Sequence, residues 1–134
     1  MDYLSLIKLP IEAELADFID LFNKSLMHSD GLLSQVLDHI RQHLDEPLDV
    51  DALAALACMS PRHFSRRFTE ETGLTPARAV EKLRVEAAAA ALESGREAVQ
   101  KVARDCGFGD QERMRRAFLR ILGRPPSALR PKRA

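Results

Sequence analysis

The chain has 134 residues, which is enough for one ordinary domain or for two very small domains that share a core. Trp is absent, aromatic residues make up 5%, and the abundance of Ala, Leu, Glu and Arg favours helix over sheet. The formal net charge of zero divides into −8 over residues 1–51 and +8 over residues 52–134. No apolar run reaches the ~18 residues of a membrane span, and the first 20 residues do not resemble a secretion signal. We therefore expect an all-α, soluble, cytoplasmic protein without a membrane partner. The basic charge of residues 52–134 is typical of a segment that binds a polyanion.

Residues 1–30 form an acidic segment in which Pro10 can begin an extra amphipathic helix. Its apolar stripe consists of Ile11, Leu15, Phe18, Ile19, Phe22 and Leu26. Several interpretations stay open for this segment. It is an appendage or linker, a homodimerisation helix, a contact for RNA polymerase, the tail of a missing sensor domain, an addition made for expression, or a helix that packs on its own domain.

Residues 31–74 carry the marks of a first helix-turn-helix subdomain. An amphipathic helix starts at Leu32 and stops before Pro47, and Asp49 is a plausible N-cap for a short helix. Ser60 then caps a further helix that begins at Pro61 and runs to Gly73.

A long connector helix is predicted over residues 75–94, because Thr75-Pro76 repeats the start signal and no helix breaker follows until Ser94-Gly95. Residues 95–130 repeat the earlier unit as a second helix-turn-helix subdomain, and residues 131–134 form a basic tail. With an offset of 50, the matched positions are Ser60 and Asp110, Phe64 and Met114, Arg66 and Arg116, Phe68 and Phe118, Gly73 and Gly123, and Pro76 and Pro126.

The two repeated helices each combine a core stripe with a polar face. Phe64 and Phe68 are expected on the buried face of the first helix. The buried face of the second helix is expected to carry Met114, Ala117, Phe118 and Ile121. The polar faces suit the DNA major groove, where Arg bonds guanine bidentately and Glu accepts from cytosine. The residues predicted to read base edges are Arg62, Ser65, Arg66, Gln111, Glu112, Arg113, Arg115 and Arg116. The residues predicted to contact phosphates are Ser60, Thr69, Arg96, Lys101, Arg104, Arg120 and Arg124.

Other chemistry finds little support in the sequence. Cys58 and Cys106 are isolated, so we expect two small buried residues. His39 and His43 lack a third ligand and the Glu of an HExxH motif, so we expect surface histidines and no metal site. No nucleophile elbow or phosphate-binding glycine loop is present, and we expect neither an enzyme nor a cofactor.

The runs LAALACMSPRHFSRRFTEETGLTPARAVEKLRVEAA and VARDCGFGDQERMRRAFLRILGRPPSALR resemble the DNA-binding domain of AraC/XylS-type bacterial transcription regulators. This resemblance implies seven helices in two subdomains, and the predicted base-reading residues match the family's recognition-helix positions. The sequence is most similar to the branch of the family that carries an amidase-like sensor domain, and we expect no such domain in this chain. The chain is thus expected to be a fragment or an unusual stand-alone regulator.

Double-stranded DNA is therefore the predicted partner, and the two recognition helices are expected to enter successive major grooves. The alternative is a helical interaction domain whose arginines bind an acidic protein. An RNA-binding role would need exposed aromatic side chains, and few remain once the core is filled.

Overall fold

A computed structural model describes residues 32–130, and in this range it contains six α-helices, one 3₁₀ helix and no strand. The α-helices are α1 (Leu32–Gln42), α2 (Val50–Leu56), α3 (Pro61–Thr72), α4 (Pro76–Ser94), α5 (Val99–Asp105) and α6 (Gln111–Leu122), and the 3₁₀ helix is Pro126–Leu129. The predicted all-α fold of two helix-turn-helix subdomains on a connector is confirmed. The predicted N-terminal helix and the basic tail lie outside the described residues. None of the helices within residues 32–130 has the length and apolar character to cross a membrane.

Side-chain caps determine where four of these helices begin. Asp49, Ser60, Thr75 and Asp110 each accept a hydrogen bond from the backbone amide three residues later, at 2.8, 3.2, 3.3 and 2.8 Å. A cap of this kind contributes about 1 kcal/mol relative to Ala. The predicted starts of α2, α3 and α4 are therefore confirmed, and α6 begins at the position that the repeat indicates.

The long helix α4 is shared by two hydrophobic cores. Ala79, Val80 and Leu83 in its first half pack into a core with α1, α2 and α3. Val85, Ala88 and Leu92 in its second half pack into a core with α5, α6 and the 3₁₀ helix. At 19 residues, α4 is about 28 Å long. Each subdomain therefore needs apolar residues of α4 to complete its hydrophobic core.

The turns inside the two helix-turn-helix units use a left-handed residue at equivalent places. Gly107 has φ +89° and Cys58, which lies 49 residues earlier, has φ +58°. The prediction that Cys58 is buried is wrong, since its side chain is exposed. It occupies a turn that directs the side chain away from the core. Cys106 is buried as predicted, and burial raises the pKa of its thiol to about 11.

His39 and His43 are half-buried rather than fully at the surface. Their rings stack with centroids 4.1 Å apart, and Nδ1 of His43 donates to the carbonyl of His39 at 2.9 Å. His43 directly follows the last residue of α1, and its spacing of four residues from His39 brings the two rings together.

Candidate nucleic-acid interface

Helix α3 is divided into a buried side and an exposed polar side. Phe64 and Phe68 are 4% and 2% exposed, and their ring centroids lie 5.6 Å apart. On the other side Arg62, Arg66 and Thr69 are exposed, and Ser65 is half-buried. The Arg66 side chain is 73% exposed, with Nε 3.9 Å from Oε1 of Glu70. This guanidinium is free to rotate toward a ligand, because exposed pairs of this length are weak.

Helix α6 repeats this division with a denser set of charges. The predicted core residues Met114, Ala117, Phe118 and Ile121 are all buried. The predicted base-reading residues Gln111, Glu112, Arg113, Arg115 and Arg116 are all exposed and lie in the first two turns. The structure therefore presents every predicted reader of α3 and α6 at the surface, with Ser65 the most covered of them.

Glu112 holds two of these arginines in the free protein. Nε and Nη2 of Arg115 donate to its two carboxylate oxygens at 2.9 and 2.7 Å, and Nε of Arg116 donates at 3.3 Å. The hydrogen bonds from Arg115, aided by its charge and by Arg116, lower the pKa of Glu112 to about 2. The carboxylate is therefore charged throughout the neutral range, and it neutralises part of the cationic face of α6.

Replacing Glu112 with Gln is expected to raise the affinity for duplex DNA of arbitrary sequence. The substitution keeps the shape of the side chain but frees Arg115 and Arg116 to contact phosphates. We expect non-specific affinity to rise about 3- to 10-fold at low salt, with a slope of log K against log [salt] steeper by about 1. Fluorescence anisotropy with an unrelated duplex measures both quantities.

Glu86→Gln is the matched control, since Glu86 lies on α4 and pairs with Arg41 of α1 at 3.5 Å. It makes the same change in net charge away from α3 and α6. Equal gains in the two variants would mean that net charge alone is responsible, and that Glu112 has no special relation to its neighbours.

The predicted phosphate contacts fall into two groups. Arg96, Arg104 and Thr69 are exposed, Arg124 is half-buried, and Ser60 uses its hydroxyl oxygen as a helix cap. Lys101 donates to Asp105 at 2.6 Å, and Arg120 donates to Glu81 of α4 at 2.6 Å. To contact phosphates as predicted, Lys101 and Arg120 would have to exchange these carboxylates for a phosphate, and exposed ion pairs are weak enough for such an exchange.

A cleft between α4 and α6 contains residues that sequence reasoning missed. Arg84 and Glu81 of α4 line it together with Arg113, Arg116 and Arg120 of α6. The available signal was the position of Arg84 between two apolar residues, Leu83 and Val85, which are buried in the structure. A charged residue between two core residues of a helix indicates a specific partner, although the sequence does not show which one.

Comparison with known proteins gives concordant results. Residues 53–132 match the sequence profile of a family described as "Helix-turn-helix domain". A helix-turn-helix-type transcriptional regulator of Mycobacterium tuberculosis is 47% identical over 81 residues, which cover 60% of this chain and 31% of the relative. The chain thus spans about a third of the length of this curated relative.

Two solved structures share the fold. The DNA-binding domain of the global transcriptional factor AdpA, solved in complex with a target DNA, is 41% identical with a TM-score of 0.69. The match covers 75% of this chain and 89% of the AdpA chain. A probable AraC family transcriptional regulator from Rhodopseudomonas palustris has a TM-score of 0.63 at 24% identity, over 76% of this chain and 100% of that chain. Because the family profile spans more than half of its residues, this chain belongs to the AraC/XylS-type helix-turn-helix family.

Proposed function

We propose that the chain binds double-stranded DNA in a sequence-specific manner, as the DNA-binding part of a bacterial transcription regulator. The observation that carries this proposal is the repeat of one exposed, arginine-bearing helix face on two capped helices, α3 and α6, which share the connector α4. The likeness to the AdpA domain, which was solved with a target DNA, supports it.

In this proposal α3 and α6 enter successive major grooves. Arg66 and Arg116 occupy matched positions and are suited to bidentate bonds with guanine. The connector is about 28 Å long, which is close to the ~34 Å of one duplex turn, so a single chain can reach both grooves from one side. Ser60, Thr69, Arg96, Lys101, Arg104, Arg120 and Arg124 are proposed to contact the phosphates.

Two further parts of the proposal concern partners and place of action. RNA polymerase and a second copy of the chain, joined through the segment 1–30, are candidate protein partners. The bacterial cytoplasm is the proposed location, because a regulator of this kind acts on chromosomal DNA. Catalysis is not part of the proposed role.

An electrophoretic titration over several salt concentrations tests the proposed function, using a site selected from random duplexes and a scrambled duplex. Five basic phosphate contacts predict a slope of about −4.5 in log K against log [salt], or about 500-fold weaker binding at 200 mM than at 50 mM salt. The selected site should bind at least ~10³-fold more tightly than the scrambled one. An affinity that depends on neither salt nor sequence, with tight binding to acidic peptides instead, would favour an acidic protein as the partner.

A further inference from the structure

We infer that Arg84 and Gly107 form a junction that holds the two helix-turn-helix subdomains at one angle, so that the protein accepts only one spacing between the two halves of its DNA site. The junction consists of Arg84 on α4, Gly107 in the second turn, and the loop 43–49 between α1 and α2. The part of this inference that concerns DNA rests on the proposed function.

Arg84 ties α4 to a loop of the first subdomain. Its Nε donates to the carbonyl of Leu44 at 3.2 Å, and its Nη2 donates to the carbonyl of Glu46 at 2.8 Å. The side chain is half-buried, and these acceptors lie 40 and 38 residues away in the sequence. A guanidinium presents its donors in a fixed planar fork, so two carbonyls in one loop define its orientation closely.

Gly107 brings the second subdomain to the same point. A Cβ atom built on this glycine would overlap the Leu44 carbonyl oxygen and would lie 2.5 Å from Nε of Arg84. The backbone of the second turn therefore packs directly against both partners of the first contact. This turn leads into α6, whose cap Asp110 lies three residues further along.

A second link keeps α6 in place on α4. Nη2 of Arg120 donates to Glu81 at 2.6 Å, one helical turn before Arg84. Relative rotation of the two subdomains would thus break contacts at Leu44, Glu46 and Glu81 together. Since one added base pair rotates the far half of a DNA site by about 34–36°, a protein held in this way cannot follow the rotation.

The test compares the wild type with Arg84→Met, which keeps the apolar stem and removes the donors. The probes are the selected duplex, the same duplex with one base pair inserted between its halves, and each half alone in unrelated sequence. For the wild type, the insertion should weaken binding about 30-fold, because the contacts of one helix are lost. For the variant, the insertion should weaken binding less than about 5-fold, since the loop 43–49 is no longer held to Arg84 and the two subdomains can then rotate relative to each other. Affinity for each half alone should stay unchanged.

Arg78→Met is the matched control, because Arg78 is exposed, lies on the same helix and loses the same charge. It should retain the wild-type penalty for the insertion. Arg84→Lys keeps the charge but has no planar fork, and it should give an intermediate penalty. This second variant keeps the inference testable if Arg84→Met does not fold.

A measurement without DNA separates the inference from the proposed function. Spin labels on the exposed Cys58 and on Gln100→Cys report the distance between the two subdomains, while Cys106 is buried. The distance distribution from double electron–electron resonance should be narrow in the Gln100→Cys protein and broader when Arg84→Met is added. An unchanged insertion penalty in a folded Arg84→Met protein overturns the inference. A wild type with no preference among duplexes overturns the proposed function instead, and the label distances then decide the junction alone.

Discussion

Replacing Gly107 with Ala is expected to lower the free energy of unfolding by about 3–5 kcal/mol. Gly107 has φ +89°, where an L-residue is strained by about 1–2 kcal/mol. The new methyl group would also overlap the Leu44 carbonyl oxygen, which is backbone and cannot move aside cheaply. Displacing it breaks the hydrogen bond that Nε of Arg84 donates to it, and such a bond contributes about 1.5–3 kcal/mol when a charged donor is involved. Urea denaturation followed by circular dichroism measures the loss.

Gly123→Ala provides the matched control for this prediction. Gly123 also has a positive φ, +70°, but a Cβ atom there would meet nothing within 4 Å. Only the conformational strain remains, so we expect a loss of about 1–2 kcal/mol. Similar losses at Gly107 and Gly123 would show that the packing against Leu44 and Arg84 contributes nothing to stability.

The double substitution Arg66→Ala with Arg116→Ala is expected to weaken binding to the selected duplex by about 2–6 kcal/mol. Each bidentate bond to guanine is worth about 1–3 kcal/mol of discrimination. The two positions lie 50 residues apart on different helices and share no partner, so their effects should add. Sequence preference should relax at one base pair for each arginine. Fluorescence anisotropy with the selected site and its single-base variants, at one fixed salt concentration, measures both effects.

Lys101→Ala serves as the contrast for this pair. Lys101 is a predicted phosphate contact, so its loss should weaken all duplexes about equally and reduce the salt slope by about 1. If the double variant behaves in the same way, with an equal loss on every duplex, Arg66 and Arg116 contact phosphates and do not read bases.

The helices and their starting points could be predicted from sequence because the signals are local. A capping side chain, a proline at the next position and an apolar spacing of three and four residues lie within one or two turns, as at Ser60 and Thr75. The core residues Phe68 and Phe118 followed from the same spacing. The exposure of Cys58 could not be predicted in this way, because nothing in the neighbouring sequence shows that the turn takes a left-handed residue at that position.

Contacts between distant segments were beyond sequence reasoning for a different reason. Arg84 meets carbonyl oxygens about 40 residues away, and backbone acceptors leave no trace in side-chain patterns. The ion pairs of Glu112 could be predicted from sequence only in part. Its spacing of three and four residues from Arg115 and Arg116 allows ion pairs, but it allows a contact with cytosine equally well.

The division of α3 and α6 into an inner and an outer side has a consequence for how such proteins diverge. The residues that maintain the fold, such as Phe64 and Met114, are separate from the exposed residues that face outward. Surface substitutions away from caps and cores usually change stability by less than about 0.5 kcal/mol. A library randomised at the outer positions should therefore consist mostly of folded proteins, and new target preferences can arise without compensating changes in the interior.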